Sequence, residues 1–208
     1  MSNATFNVPN VLTASRLLLA IVLFVLMGMA QSLVGSAEGA DLARTLYMVS
    51  TILFVVAAGT DWLDGFWARR YGQVTVFGRI FDPFVDKVII CGVFISLVAD
   101  GRSQVDAWMA VVIVARELLV TALRGFFEQR GTDFSASMSG KLKMVLQCAA
   151  AAASLLTLSA EPETIWHPLW LDTVALYLIW GAVAITIYSG GEYVIAATKL
   201  MRTPPGDS

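Results

Sequence analysis

Asp61-Trp62-Leu63-Asp64-Gly65-Phe66-Trp67-Ala68-Arg69, followed after eight residues by Gly78-Arg79-Ile80-Phe81-Asp82-Pro83-Phe84-Val85-Asp86, is the stretch around which the rest of the chain has to be arranged. Asp61 and Asp64 are three apart and Asp82 and Asp86 are four apart, so on helices each pair falls on a single face. Two such faces brought together place four carboxylates around one point. Like charges that close do not all stay ionised without cations. An all-oxygen donor set favours a hard divalent ion, Mg²⁺ or Mn²⁺.

The setting of this acidic segment is apolar. Of 208 residues, 57% are hydrophobic and 14% charged, the profile of an integral all-α membrane protein. Six runs are long enough to cross roughly 30 Å of hydrocarbon: 15–34, 44–67, 83–99, 107–127, 140–160 and 173–199. Residues Phe6 to Ala14 are too polar to span and read as a short amphipathic interfacial helix. The run after Arg16 outlasts the apolar core of a signal peptide and reads as a retained first span. Residues 1–202 then make one membrane domain, and 203–208 a disordered tail. Ala149–Ala153 reads as a close-packed helix face. Cys91 and Cys148 lie in apolar runs and read as small core residues, and His167 as a solvated loop residue. A net charge of −2 gives no global basic field, so no nucleic-acid partner is expected.

Positive charge orients the spans. Eleven of the fourteen Lys and Arg residues, Arg69, Arg79, Lys87 and Arg124 among them, fall on one side; Arg44 and Arg102 fall on the other, and Arg116 lies inside the fourth span. That asymmetry places both termini and the aspartates on the cytoplasmic side, and the membrane expected is a bacterial inner membrane.

The acidic segment has the parts of a diphosphate site. Gly65 and Gly78 let a ligand or helix approach the backbone closely. Arg69 lies eight residues after Asp61, about two turns along the same helix, where a guanidinium grips phosphate bidentately.

These residues carry a family signature. Asp61, Asp64, Gly65, Ala68, Arg69, Gly78, Asp82 and Asp86 match the pattern of the CDP-alcohol phosphotransferases at every fixed position and every gap, and the chain resembles that family over nearly its whole length. The resemblance implies that Asp61, Asp64, Asp82 and Asp86 hold two metal ions, and that Asp86 is also the general base. It implies that Gly65, Arg69, Thr75 and Gly78 contact the CDP part of CDP-diacylglycerol. An acceptor hydroxyl then attacks the lipid-side phosphorus in line and CMP departs, with positioning and electrostatics carrying the step.

The acceptor is read from the flanks. Asn7-Val8-Pro9-Asn10 through Arg16, Ala115-Arg116-Glu117 with Thr121 to Arg124, and Ser139-Gly140-Lys141 with Lys143 and Gln147 resemble the family branch that uses glycerol 3-phosphate, the phosphatidylglycerophosphate synthases. A dianionic acceptor needs fixed cations, and Arg116, Arg124, Lys141 and Lys143 are the candidates. Arg116 has a second reading, a structural ion pair with Glu117 or an aspartate; Lys141 and Lys143 have one as ordinary flanking charge. Two other functions stay open: transfer to inositol phosphate or serine, and a divalent-cation transporter with acids lining its path. Partners are CDP-diacylglycerol, glycerol 3-phosphate and membrane lipids, with a homodimer held open as the assembly.

Overall fold

The computed structural model describes residues 8–35, 38–71, 76–129, 138–160 and 170–202, with side chains for 14–35, 38–60, 84–127, 138–160 and 170–201. Among the described residues there are six helices and no strand: α1 Val8–Leu33, α2 Ala40–Tyr71, α3 Val76–Asp100, α4 Ala107–Gln129, α5 Met138–Ser159 and α6 Trp170–Arg202. Each expected span coincides with one helix, 15–34 and 140–160 running one residue past it, but most helices overrun their apolar run, because intrahelical hydrogen bonding does not end where the hydrocarbon does. The clearest case is α1, which begins at Val8 and continues unbroken through Ser15, so the opening segment is continuous with the first span.

Among the described residues, four segments are long and apolar enough to cross a membrane: Ala14–Leu33, Ala40–Thr60, Met138–Ser159 and Trp170–Met201. Helix α4 carries Arg116, Glu117 and Arg124 among its apolar residues, and the described side chains of α3 begin at Phe84. The bundle has an apolar exterior, with Leu18, Val25, Ile52, Val111 and Leu118 all more than half exposed. In water that surface would aggregate; in lipid it is the solvated one. The chain is an integral membrane protein.

The interior mixes apolar packing with self-satisfied hydroxyls. Leu23, Met27, Phe54, Phe94, Ile113 and Leu155 form the centre of the core. Ser50, Thr51, Ser154 and Thr186 are buried and each donates to the carbonyl four residues earlier, which makes a small polar side chain tolerable without water. Ala150 and Ala151 are fully buried, as the alanine run leads one to expect of a close-packed face. Helices α5 and α6 form the most extensive pair, followed by α1 with α2 and α2 with α5. Helix α1 also meets α3, where Gly92 leaves room for the ring of Phe24 that a methyl group would displace. Cys91 and Cys148 are half-buried and unlinked, and Cys148 packs against the core.

One end of the bundle is closed by a polar cluster. Asp100, at the end of α3, has a fully buried carboxylate that accepts from Tyr47 Oη, from Arg102 Nε at 2.9 Å and from Arg102 Nη2 at 3.1 Å. Gly101 follows with a φ of 72°, the left-handed turn that releases the chain from α3 and aims Arg102 back at Asp100. The Arg102 guanidinium lies 5.5 Å from the centre of the Tyr47 ring. Hydrogen bonding to Asp100 holds its pKa above the ordinary arginine value.

Candidate active site

Helix α3 presents Asp86 near the other end of its apolar run, ten residues into the helix. The carboxylate, 31% exposed, is held by Arg16 of α1, whose side chain is only 4% exposed. A guanidinium buried to that degree needs a charge partner, and Asp86 supplies it. Both residues line a cavity of about 330 Å³. Its other charged walls are Lys87 of α3, Glu117 and Arg124 of α4 and Lys143 of α5, with the Gln147 amide beside them. Phe54, Ala57, Ile89, Ile90 and Met144 supply the apolar part of the wall.

Glu117 organises the cations. It is 6% exposed, accepts from Lys143 Nζ, and lies 3.4 Å from Arg116 Nη1. Arg116, 8% exposed, is outside the cavity wall. It sits 5.5 Å over the Tyr193 ring, in space left by Gly190, where a Cβ would stand 3.2 Å from its Cγ. The Tyr193 hydroxyl in turn accepts from Arg124 Nη2 at 3.1 Å. Lys143, Glu117, Arg116, Tyr193 and Arg124 thus form one linked series across α4, α5 and α6. The Nε atoms of Arg116 and Arg124 are buried with no hydrogen-bond partner among the described residues, donor capacity that an anion would satisfy.

The structure therefore brings Asp86, Arg124 and Lys143 to one cavity and leaves two of the expected cations out of it. Arg116 reaches the cavity through Glu117, the ion pair that was its second reading, and Lys141 is exposed on α5. Asp61, Asp64, Gly65 and Arg69 lie on α2, and Gly78 and Asp82 on α3; their side chains lie outside the described residues, while Thr75 and His167 lie outside them entirely. Among the described residues no group of three metal-ligating side chains converges. The described member of the aspartate set does fit a hard cation, because Asp86 offers carboxylate oxygens at a cavity wall. Sequence reasoning treated Lys87 as flanking charge, and Arg16 as flanking charge and the end of the amino-terminal pattern, and gave neither a role in the site. The available signal was Arg16's position at the first apolar residue, where a cation either faces water or is buried against a partner.

Comparisons with known proteins identify the family. The model of the CDP-alcohol phosphatidyltransferase family matches residues 6–188. A Bacillus subtilis protein named CDP-diacylglycerol–glycerol-3-phosphate 3-phosphatidyltransferase is 34% identical over 203 residues, covering 95% of this chain and 98% of its own. Proteins of the same name from Rickettsia typhi and Salmonella choleraesuis are 36% and 31% identical, covering 90% and 92% of this chain and 94% and 95% of their own. With the family pattern matched across nearly the whole length, this chain belongs to the CDP-alcohol phosphatidyltransferase family.

Proposed function

We propose that this protein transfers the phosphatidyl group of CDP-diacylglycerol to sn-glycerol 3-phosphate, giving phosphatidylglycerophosphate and CMP. The observation that carries the reading is the cavity in which a carboxylate, Asp86, shares a wall with Arg124 and Lys143. An alcohol that also bears a phosphate needs both: an oxygen base for its hydroxyl and fixed cations for its dianion. The relatives' shared name supports the same acceptor.

Asp86 takes the proton of the acceptor's terminal hydroxyl as that oxygen forms its bond to the lipid-side phosphorus. The phosphorus–oxygen bond to CMP breaks, and Asp86 later returns the proton to water. Arg124 and Lys143 hold the acceptor phosphate, and Glu117 fixes Lys143 so that little reorganisation accompanies binding. Gly65, Arg69, Thr75 and Gly78 hold the CDP part, and Asp61, Asp64, Asp82 and Asp86 hold a pair of Mg²⁺ or Mn²⁺ ions. Bound there, such ions offset charge on the attacking and leaving oxygens. All six helices cross the membrane, with the termini and the site cytoplasmic in a bacterial inner membrane; residues 1–202 act as one domain.

The test is purified protein with CDP-diacylglycerol and a panel of acceptors, following CMP and the lipid product. Glycerol 3-phosphate should support release, excess chelator should stop it, and Mg²⁺ or Mn²⁺ should restore it. A preference for inositol phosphate or serine would reassign the acceptor. Cation flux in vesicles without CMP release would move the protein to the transporter reading.

A further inference from the structure

One polar group of the cavity has its hydrogen-bond direction decided by a neighbour. Gln147 of α5 is 1% exposed and donates from Nε2 to Thr186 Oγ1 of α6 at 3.0 Å. Thr186, itself fully buried, has one hydroxyl proton and gives it to the Ala182 carbonyl at 2.5 Å. Its lone pairs can then only accept, so the part of Gln147 that faces it is the NH₂ and the carbonyl Oε1 is turned away. The amide is anchored across the most extensive helix contact in the bundle, and it lines the cavity.

Donor and acceptor accounting shows what that oxygen is for. Arg16, Lys87, Arg124 and Lys143 are donors with no acceptor capacity. Among the described acceptors of the wall, Glu117 is engaged by Lys143 and Arg116, and Asp86 by Arg16. Gln147 Oε1 is the neutral acceptor. On the reading above, on which this inference rests, the phosphate goes to the cations and the terminal hydroxyl to Asp86. Glycerol 3-phosphate has one donor more, its secondary hydroxyl. We propose that Gln147 Oε1 accepts that hydrogen bond, and that Gln147 is therefore the residue that selects a vicinal-diol phosphate over an alcohol phosphate without the second hydroxyl. The selection works by exclusion as much as by attraction: an acceptor lacking the hydroxyl leaves a desolvated carbonyl unpaired.

The experiment compares sn-glycerol 3-phosphate with 3-hydroxypropyl phosphate, which keeps the terminal hydroxyl and the phosphate and lacks only the secondary hydroxyl. CMP release from CDP-diacylglycerol gives kcat/KM for each. The wild-type protein should favour glycerol 3-phosphate by roughly ten- to a hundred-fold, the worth of one buried hydrogen bond. Gln147→Leu should collapse that ratio to within a few-fold, losing on glycerol 3-phosphate and gaining on 3-hydroxypropyl phosphate, which no longer leaves a desolvated carbonyl unpaired. Thr186→Val, which removes the anchor and frees the amide to turn, should give an intermediate ratio with Gln147 still present. A wild-type protein indifferent to the two acceptors overturns the inference, whether or not either variant folds. So does Gln147→Leu lowering both acceptors by the same factor, or Thr186→Val keeping the full ratio. If glycerol 3-phosphate is used well throughout these outcomes, the reading of the reaction stands and only the role of Gln147 falls. If inositol phosphate or serine is the acceptor and neither of the two compounds is used, both fall together.

Discussion

Helix α3 carries a carboxylate near each end of its apolar run, Asp86 part-exposed and Asp100 buried, and the two are built for opposite purposes. Asp86 and Asp100 are fourteen residues apart, about 21 Å along the helix at 1.5 Å per residue. Asp100 is fully buried and saturated: a tyrosine hydroxyl and a bidentate arginine answer its two oxygens, and that arginine lies over the same tyrosine. Asp86 is a third exposed and stands at a cavity whose described walls hold the cations Arg16, Lys87, Arg124 and Lys143 against the carboxylates Asp86 and Glu117. A cluster whose charges answer one another at close range offers a ligand little. One that keeps the Arg124 Nε unpartnered among the described residues, beside an accessible carboxylate, stays poised for an anion and an alcohol. Balance, more than burial, separates the structural cluster from the functional one.

The same substitution at both ends puts the contrast at risk. Asp86→Asn should cut kcat by about a hundred- to ten-thousand-fold, the usual share of a general base, while an amide oxygen remains for Arg16 to donate to. CMP release measures it, and near-normal turnover would end the base assignment. Lys143→Met should raise the KM for glycerol 3-phosphate by roughly ten- to a hundred-fold, the loss of a hydrogen bond to a charged group. The KM for CDP-diacylglycerol should move much less; equal effects on both would take Lys143 away from the acceptor. Asp100→Asn should leave kcat and both KM values in place and lower stability by about 1–3 kcal/mol, read from thermal melting in detergent. A folded Asp100→Asn protein without turnover would erase the distinction between the two ends. Arg116→Ala should raise the acceptor KM by less than Lys143→Met does, because Arg116 reaches the cavity only through Glu117; the reverse order would return Arg116 to the phosphate itself. Lys141→Ala should change the acceptor KM and the melting temperature least, as an exposed substitution within about 0.5 kcal/mol.

The parts legible in the sequence were those carried by local spacing. Hydropathy placed all six helices, and it missed their ends because it measures the apolar run and not the helix: α2 extends to Tyr71 and α3 starts at Val76, beyond the expected spans on both sides. The aspartate signature led to Asp86. The cations were harder, since the sequence ranks them only by proximity to a span. Lys141 and Lys143 are two residues apart on α5, and a helix turns them roughly 200° away from each other, so one is exposed and the other faces the cavity. Which is which depends on how α5 docks on α2 and α6. What Arg16, Tyr193 and Gly190 touch was invisible for the same reason. Their roles come from contacts made across the bundle, Arg16 with a residue seventy positions on.

That separation also has a meaning in time. Arg16 belongs to α1 and Asp86 to α3, seventy positions later in the chain. At ~5–20 residues per second, the guanidinium exists for about 4–14 s before the carboxylate that will hold it. Throughout that interval a charge destined for 3% exposure has to be met by water or by a lipid phosphate at the membrane surface. The first helix is therefore held at the interface by the same residue that later locks it to the third.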